Sequence, residues 1–271
     1  MNRSETRKAL AELGLKADKS LGQNFLINPL AAGKIVRALG TEPLQILEIG
    51  PGLGALTEKL LAFGHRVSAI ELSEVLAERL TVTMPEVPVV HGDFLRTNPS
   101  DIPGFPFNGV ASNLPYNISS QAVLKLCAPE YSRVDRAVIM LQREMAERLC
   151  CLEGGRNYGR LSLMVWPWFT VRKLFDLEPG EFMPEPSVVS RVVVMERKKE
   201  TVMSREEYRI YGRVVKAAFS SRRKKIINCL ARAFGKDSAL QILKAAEVDP
   251  DLRAERIAPE KFAEIAGKAE L

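Results

Sequence analysis

The tetrapeptide Asn113-Leu114-Pro115-Tyr116 places an amide, a proline and an aromatic ring directly after the apolar run 109–112. The run is typical of a short buried strand, which the proline would end. The Asn113 side-chain oxygen and the Leu114 carbonyl could accept both N–H groups of an exocyclic amino group on a nucleobase. Pro115 favours an extended Leu114, so this carbonyl can point outward. Tyr116 offers a face for a flipped base, and such stacking contributes roughly 1–3 kcal/mol.

The same four residues also occur by chance as an ordinary turn, so their position behind a second motif matters. That motif runs from Glu48 through Gly50, Gly52 and Gly54, after an apolar strand and before a helical pattern. Glycines let the backbone approach a ligand closely, and the following helix supplies oriented N–H groups. The third glycine comes one residue earlier than in the dinucleotide fingerprint. The pattern is typical of enzymes that use S-adenosylmethionine (SAM).

Two further acids stand at the ends of predicted strands. Glu71 ends the second strand, about where an α/β fold holds a ribose diol. Asp93 follows the third strand, and its carboxylate could accept from an adenine amino group. Taken singly, each acid is more often a solvated strand end or a helix cap. With Asn113 after the fourth strand, they predict one cofactor site at the carboxyl ends of the strands.

Alternating apolar segments predict an α/β fold, a Rossmann-like class I SAM-dependent methyltransferase with a mostly parallel seven-stranded sheet covered on both faces. The last two strands, with no clear helix between them, predict an antiparallel hairpin that completes the sheet. Strands are predicted at 45–49, 67–71, 87–91, 109–113, 136–141, 161–167 and 190–197. Helices are predicted at 30–39, 54–63, 73–81, 119–127 and 142–150.

Positive charge is concentrated in one region of the chain. Residues 196–236 contain 13 Lys/Arg and four Glu, a net charge of +9, whereas the whole chain carries +6. Within this region Arg222, Arg223, Lys224 and Lys225 are adjacent and lie in a helical pattern of apolar residues. A charge run is usually a solvated helix face, but this concentration beside an apolar stripe favours contact with phosphates. We therefore predict that these four cations bind nucleic acid.

The charged stretch 196–200 is the natural junction between two domains. The predicted catalytic domain is 1–199, and a small, basic, all-helical domain covers 200–271. Its helices are predicted at Glu206–Phe219, Arg222–Phe234, Ser238–Ala246 and Pro259–Gly267.

Length and composition agree with an enzyme that has a substantial core, since 46% of the 271 residues are hydrophobic. No apolar run reaches 18 residues and the N-terminus lacks an apolar stretch, so we expect a cytoplasmic protein without a membrane span. The four cysteines lack Cys-x-x-Cys spacing, and only two histidines are present. We therefore expect reduced core thiols and no metal site.

The chain resembles the KsgA-type adenine N6,N6-dimethyltransferases, which modify small-subunit ribosomal RNA. The resemblance covers about 16–262. The 23S rRNA adenine methylases and the mitochondrial transcription factor B proteins share the motifs that begin at Glu48 and at Asn113. Gln121 stands where the family commonly has proline, and Val189-Ser-Arg191 where Asp-Ser-Ala is usual; both put local RNA contacts in doubt. The matching motifs are Leu21-Gly-Gln-Asn-Phe-Leu26, Glu48-Ile-Gly-Pro-Gly-Leu-Gly54, Asn113-Leu-Pro-Tyr-Asn-Ile-Ser119, Gln142-Arg-Glu-Met-Ala-Glu-Arg148, Tyr158-Gly-Arg-Leu-Ser162, Phe182-x-Pro-x-Pro186, Phe219-x-x-Arg-Arg-Lys224 and Arg253-Ala-Glu-x-Ile257.

The resemblance implies transfer of two methyl groups from SAM to N6 of each of two adjacent adenines in the 3′-terminal hairpin of 16S rRNA. The substrate would be the 30S subunit or its precursor, and the enzyme a monomer. Phe182 would be a second stacking wall and Phe25 would close the pocket, although both could be core aromatics. Two alternatives stay open: an assembly factor that retains SAM binding, and a DNA adenine methyltransferase. By the family pattern the SAM pocket is lined by Asn24, Leu26, Gly50, Glu71, Asp93 and Asn113.

Overall fold

A seven-stranded sheet forms the centre of the first of two compact units in the computed structural model. The structure describes residues 1–15, 23–152, 154–200 and 202–269. The first unit comprises 1–146 and 171–197, and the second comprises 147–170 and 198–271. Leu21 and Gly22 of the N-terminal motif lie outside the described residues.

The sheet has the strand order β4-β3-β2-β5-β6-β9-β7. β2, β3, β4, β5 and β6 pair in parallel, whereas β9 pairs antiparallel to β6. A separate antiparallel pair joins β1 to β8, with Leu26 opposite Phe182. The strands are β1 (Phe25–Leu26), β2 (Gln45–Ile49), β3 (Arg66–Glu71), β4 (Val89–His91), β5 (Gly109–Asn113), β6 (Arg136–Gln142), β7 (Phe169–Leu177), β8 (Phe182–Met183) and β9 (Ser190–Arg197).

Helices follow β2, β3 and β5 and lead to the next parallel strand, as expected for crossover connections. The helix α3 follows the glycine turn after β2, and Gly54 at its N-cap has a φ of 88°, which favours glycine. The sheet packs on an apolar cluster that includes Ile46, Leu60, Ala111 and Val138. The first seven helices are α1 (Arg3–Glu12), α2 (Pro29–Arg37), α3 (Ala55–Ala62), α4 (Glu74–Thr83), α5 (Ser119–Lys125), α6 (Arg143–Cys150) and α7 (Arg160–Val165).

The predicted strand at 161–167 is wrong, because this segment forms α7 and the strand begins later, at Phe169. Apart from Ser162 the run is apolar, and such a run does not distinguish a buried strand from a buried helix. Leu163 and Trp166 are buried in the core of the second unit. The observed β7 is an edge strand whose exposed Arg172 and Lys173 hide its strand pattern.

The second unit is helical and has its own core, in which Tyr211, Leu230 and Phe262 are buried. Residues 147–170 cluster with this unit, whereas the sequence analysis placed them in the first domain. Its long helices are α8 (Arg205–Ala218), α9 (Ile226–Phe234), α10 (Lys236–Ala245) and α11 (Pro259–Lys268).

The basic cluster does not lie within a helix, so the prediction of a helix from Arg222 is wrong. α9 begins at Ile226, and Lys225 before it is extended, with φ −61° and ψ 149°. The Arg222 guanidinium donates to the carbonyls of Arg156 and Tyr158, at 2.7 and 3.3 Å, which draws the residue away from a helical path. The four cations therefore occupy the turn between α8 and α9.

Candidate cofactor and substrate site

A cavity lies at the carboxyl ends of β2, β3 and β5, where the strand order reverses and open α/β sheets bind their ligands. Asn24, Leu26, Gly50, Glu71 and Asn113, five residues that the family pattern assigns to the cofactor, line it together. Asp93 is not among the lining residues. The full lining is Gln23, Asn24, Phe25, Leu26, Glu48, Gly50, Pro51, Gly52, Leu53, Ala55, Leu56, Glu71, Leu72, Ser73, Leu76, Asn113 and Pro115.

The glycine turn fits closely against the N-terminal segment. Gly50 and Gly52 have φ values of 66° and 59°, a conformation that other residues rarely adopt. A side chain at Gly52 would also come within 3.1 Å of the Phe25 ring. Glycine is therefore required here both for the turn and for the approach of Phe25, which forms part of the cavity wall.

The Glu71 carboxylate accepts backbone hydrogen bonds from the glycine turn after β2 and from the residues that follow β3. One oxygen accepts the Gly52 N–H at 3.0 Å, and the other accepts the Ser73 N–H at 3.0 Å. Burial raises the pKa of this carboxyl, and the two N–H bonds partly offset the increase. Each carboxylate oxygen has a further lone pair. Glu71 can therefore hold the glycine turn and still accept from the hydroxyls of a ribose.

The amide of Asn113 has a defined orientation. Its nitrogen donates to the Asn24 carbonyl at 2.7 Å. A carbonyl can only accept, so the amide nitrogen must face Asn24 and the amide oxygen faces elsewhere. Ser112 donates to the Ile49 carbonyl and so ties the end of β5 to the end of β2. Asn113 lines the cavity, and its side-chain oxygen keeps its capacity to accept hydrogen bonds.

The residues after Asn113 form the turn into α5. Leu114 is buried, with 1% of its surface exposed, and Pro115 lines the cavity. The Pro115 carbonyl accepts from Ser119 Oγ at 2.8 Å, which closes the turn. The Tyr116 hydroxyl lies 2.8 Å from Ser190 Oγ at the start of β9, and burial raises its pKa. This contact fixes the outer end of the Tyr116 side chain.

Three predicted contacts require correction or remain untested. Phe182 is fully buried and packs in the core of the sheet, so it offers no face to a base and is a core aromatic. Phe25 is 8% exposed and packs with Leu53 against the cofactor cavity, not at a separate substrate surface. The Asp93 carboxylate accepts the Leu95 N–H at 2.8 Å, so its role toward adenine stays a prediction.

Glu48 was assigned no role from its sequence pattern, but this residue lines the cavity. Its side chain is 1% exposed and accepts from Thr57 Oγ1 at 2.6 Å. Its pKa is raised to about 8: burial has the largest effect, the hydrogen bond from Thr57 opposes the increase, and the charge of Glu71 adds to it. Its place two residues before the first glycine was the available signal.

A cationic cleft lies in the second unit. Four arginines line it, and Arg222 is the only one that the sequence analysis predicted to bind RNA. Arg223 and Lys224 are exposed and, within the described ranges, form no ion pair, whereas Lys225 pairs with Asp251 at 2.9 Å. The lining is Gly154, Gly155, Arg156, Arg222, Asp251, Leu252, Arg253, Glu255 and Arg256.

The first unit's cavity fits SAM by the chemistry of its lining. Its charged lining residues, within the part of the chain that the structure describes, are Glu48 and Glu71, both buried. Buried carboxylates need a positive partner or donors. SAM brings a sulfonium, an ammonium and a ribose diol, and apolar residues such as Leu53 and Leu76 can enclose its adenine.

No helix among the described residues is long and apolar enough to cross a membrane.

Comparison with known proteins identifies the family. The family model described as "Ribosomal RNA adenine dimethylase" matches residues 14–270. "Ribosomal RNA small subunit methyltransferase A" of Desulforapulum autotrophicum is 39% identical over 93% of this chain and 92% of the relative. The enzyme of the same name from Syntrophotalea carbinolica is 39% identical over 92% of this chain and 95% of the relative.

Solved structures agree. A dimethyladenosine transferase from Plasmodium falciparum matches with a TM-score of 0.75 and 25% identity, over 89% of this chain and 95% of that one. The 23S rRNA methyltransferase ErmE matches with a TM-score of 0.69 and 26% identity, over 92% of this chain and all of that one. The chain therefore belongs to the ribosomal RNA adenine dimethylase family, with a class I methyltransferase fold and SAM as its cofactor.

Proposed function

We propose that this enzyme dimethylates N6 of two adjacent adenines in the 3′-terminal hairpin of 16S rRNA. Its substrate is the 30S subunit or a precursor, and it acts as a monomer in the cytoplasm during small-subunit assembly. The observation that carries the chemistry is the oriented Asn113 amide. Its nitrogen is held by the Asn24 carbonyl, so its oxygen remains available at the cofactor cavity.

The amino group of adenine is a weak nucleophile because its lone pair is delocalised into the ring. SAM supplies an electrophilic methyl group on a cationic sulfur, and the protein contributes chiefly position and exclusion of water. Asn113 Oδ1 accepts one N6 proton, and the carbonyl of Leu114, a buried residue, accepts the other when the base is in place, which localises the lone pair. This acceptor pair requires no strong base.

Tyr116 stacks on the flipped adenine and sets its depth in the site. The hydrogen bond between its hydroxyl and Ser190 Oγ supports this role, because it restricts the ring before the base arrives. Such restriction lowers the entropy lost on binding.

The cationic cleft and turn of the second unit bind the rRNA backbone. Arg223 and Lys224 are exposed in the turn, and Arg156, Arg253 and Arg256 add charge nearby in the same cleft as Arg222. Phosphate contacts of this kind position an RNA without reading its bases. Base choice then rests on the methylation site of the first unit.

The small subunit is favoured over the large one by similarity. The relatives named for the small subunit are 39% identical to this chain, whereas the 23S rRNA enzyme ErmE is 26% identical. The motif Tyr158-Gly-Arg-Leu-Ser162 and the pattern Arg253-Ala-Glu-x-Ile257 also favour the small subunit.

Methyl transfer from labelled SAM to undermethylated 30S subunits tests the proposal, with 50S particles and naked DNA as parallel substrates. We expect label only in 30S subunits, in two neighbouring dimethyladenosines. Label in 50S particles would indicate a 23S enzyme, and label in DNA a DNA methyltransferase. Binding to 30S without transfer, by protein shown to bind SAM, would indicate an assembly factor.

A further inference from the structure

The cofactor cavity contains an acid whose surroundings a purely structural role does not explain. Glu48 on β2 is 1% exposed and lines the cavity close to the glycine turn. Across the described residues, Glu71 is the only other charged side chain in the lining. Two acids therefore share a largely buried space without a basic side chain.

Thr57, in the first turn of α3, is the partner of Glu48. It donates through Oγ1 at 2.6 Å, and its backbone also hydrogen-bonds the carboxyl. The pKa of Glu48 is raised to about 8 by burial and by the charge of Glu71 on β3, and the bonds from Thr57 limit the increase. At neutral pH and without a ligand, Glu48 is therefore mostly protonated.

A helix-capping role alone would be served as well by a glutamine, whose side-chain oxygen accepts the same bonds. A carboxyl in this place costs stability. The pKa of Glu48 in the folded protein lies above its value in the unfolded chain. The contribution of this group to the free energy of unfolding is therefore fully present below about pH 4.5 and is lost as the pH rises to about 8. The acid therefore needs a functional reason.

The cofactor and its product differ in charge as well as in a methyl group. SAM carries a sulfonium cation, whereas S-adenosylhomocysteine (SAH) has a neutral thioether. We propose that Glu48 recognises this positive charge: it loses a proton to solvent when SAM binds and regains one from solvent once the methyl group has been transferred. Glu48 is thus a cofactor-binding residue that selects SAM over SAH.

The gain and loss of this proton match the charge of Glu48 to the ligand in the cavity. With SAM bound, the Glu48 carboxylate offsets the sulfonium charge in a place where water is scarce. With SAH bound, the protonated acid leaves no uncompensated charge and adds no attraction that would hold the product. Glu71 cannot make this distinction alone, because the ribose hydroxyls assigned to it are the same in SAM and in SAH.

Calorimetric titrations of the intact protein with SAM and with SAH test the proposal, in two buffers of different ionisation enthalpy. For a group with a pKa of about 8, we expect release of close to one proton per SAM at pH 7 and clearly less with SAH. The Kd for SAM should fall about tenfold from pH 6.5 to 7.5 and level off above pH 8. Equal proton release with both ligands, or none, would overturn the proposal.

Glu48→Gln separates recognition from helix capping. We expect its Kd for SAM to rise at least tenfold at pH 8 and its Kd for SAH to change less than threefold, with proton release lost. The melting temperature at pH 8 should hold or rise, because a buried ionisable group has been removed. A lower melting temperature, with both ligands weakened equally, would show that Glu48 acts only in the fold.

Thr57→Val provides a second, independent test if Glu48→Gln does not fold. Removing the Thr57 hydroxyl removes a bond that lowers the pKa of Glu48. The pH at which SAM affinity levels off should then move upward, and SAH affinity should stay constant. An unchanged pH profile in this variant would contradict the proposal. Glu71→Gln removes a charge that raises the pKa of Glu48, so in that variant the pH at which SAM affinity levels off should move downward, opposite to the shift in Thr57→Val.

Discussion

At the scale of single residues, the site depends on groups whose freedom has been removed by bonds to the backbone. Asn113 and Glu71 each use part of their hydrogen-bonding capacity within the protein and keep the remainder for a ligand. This division fixes each side chain before binding, which reduces the entropy lost when the ligand is bound. We expect Asn113 to act mainly on turnover and Glu71 mainly on cofactor affinity.

Asn113→Ala should lower kcat by at least about a hundredfold and leave rRNA binding nearly intact. The reason is that an acceptor for the amino protons acts mainly in the transition state. Steady-state kinetics with 30S subunits and a filter-binding measurement check the two effects separately. The matched control is Asn117→Ala, an exposed asparagine in the same turn. Turnover of the Asn113 variant within about threefold of the parent would refute the role.

Glu71→Ala should weaken SAM binding more than any substitution in the second unit. Hydrogen bonds from a diol to a carboxylate are charge-assisted and contribute roughly 1.5–3 kcal/mol. The loss of the bonds to Gly52 and Ser73 adds to the effect, because the glycine turn is then less restrained. Calorimetry measures the affinity, and Glu74→Ala, at an exposed site outside the cavity, removes the same charge as a control. Unchanged affinity would exclude the ribose assignment.

At the scale of elements, the strands whose ends carry chemistry could be predicted from the sequence. The helical state of the run 161–167 could not. The strands at 45–49 and 109–113 match the structure residue for residue, because each is an apolar run bounded by glycine or proline. The run 161–167 carries no period, so only its packing in the second unit decides that it is a helix. The edge strand β7 was missed because its exposed charges interrupt the alternation.

In the turn before α9 we expect Arg222 to stabilise the fold, and Arg223 and Lys224 to bind RNA. Arg222 donates to three backbone carbonyls, so Arg222→Gln should lower the stability of the second unit by about 1 kcal/mol, which a thermal melt would detect. Arg223 and Lys224 are exposed and unpaired in the described structure. Changing both to Gln should leave stability and SAM affinity unchanged. It should also reduce the slope of log K for rRNA against log salt by roughly 0.7–0.9 per contact.

The matched control for that pair is Lys236→Gln with Lys244→Gln, which removes the same charge from exposed positions on α10. The salt slope of the control should stay close to that of the parent protein. A slope that does not change in the Arg223 and Lys224 variant would make the turn an ordinary solvated surface and leave RNA recognition to other residues.

At the scale of the whole molecule, the sequence predicted two domains from a charge run, whereas contacts divide the chain differently. The stretch 196–200 contains the observed boundary at 197, but the second unit also takes in residues 147–170. A segment that leaves one unit and returns to it produces no change in composition that a linker would show. The discontinuity is visible only in packing, for example in the hydrogen bond from the Tyr211 hydroxyl to the Leu163 carbonyl, at 3.0 Å.

A fragment that ends at residue 199 should therefore fold poorly. It keeps Tyr158, Leu163 and Trp166 but loses the core residues that cover them, including Tyr211 and Phe262. We expect it to bind an apolar dye strongly and to aggregate on heating, because a large apolar patch is exposed. The matched fragment joins 1–146 to 171–197 through a flexible linker and so lacks these residues.

The linked fragment should bind less dye and still bind SAM, since every residue that lines the cofactor cavity is present in it. Dye fluorescence, thermal melting and SAM calorimetry on both fragments decide between the two boundaries. A 1–199 fragment that melts cooperatively with little dye binding, beside a linked fragment that fails to fold, would instead show that 147–170 stabilise the catalytic unit. The domain boundary would then lie close to residue 199, where the charge run had placed it.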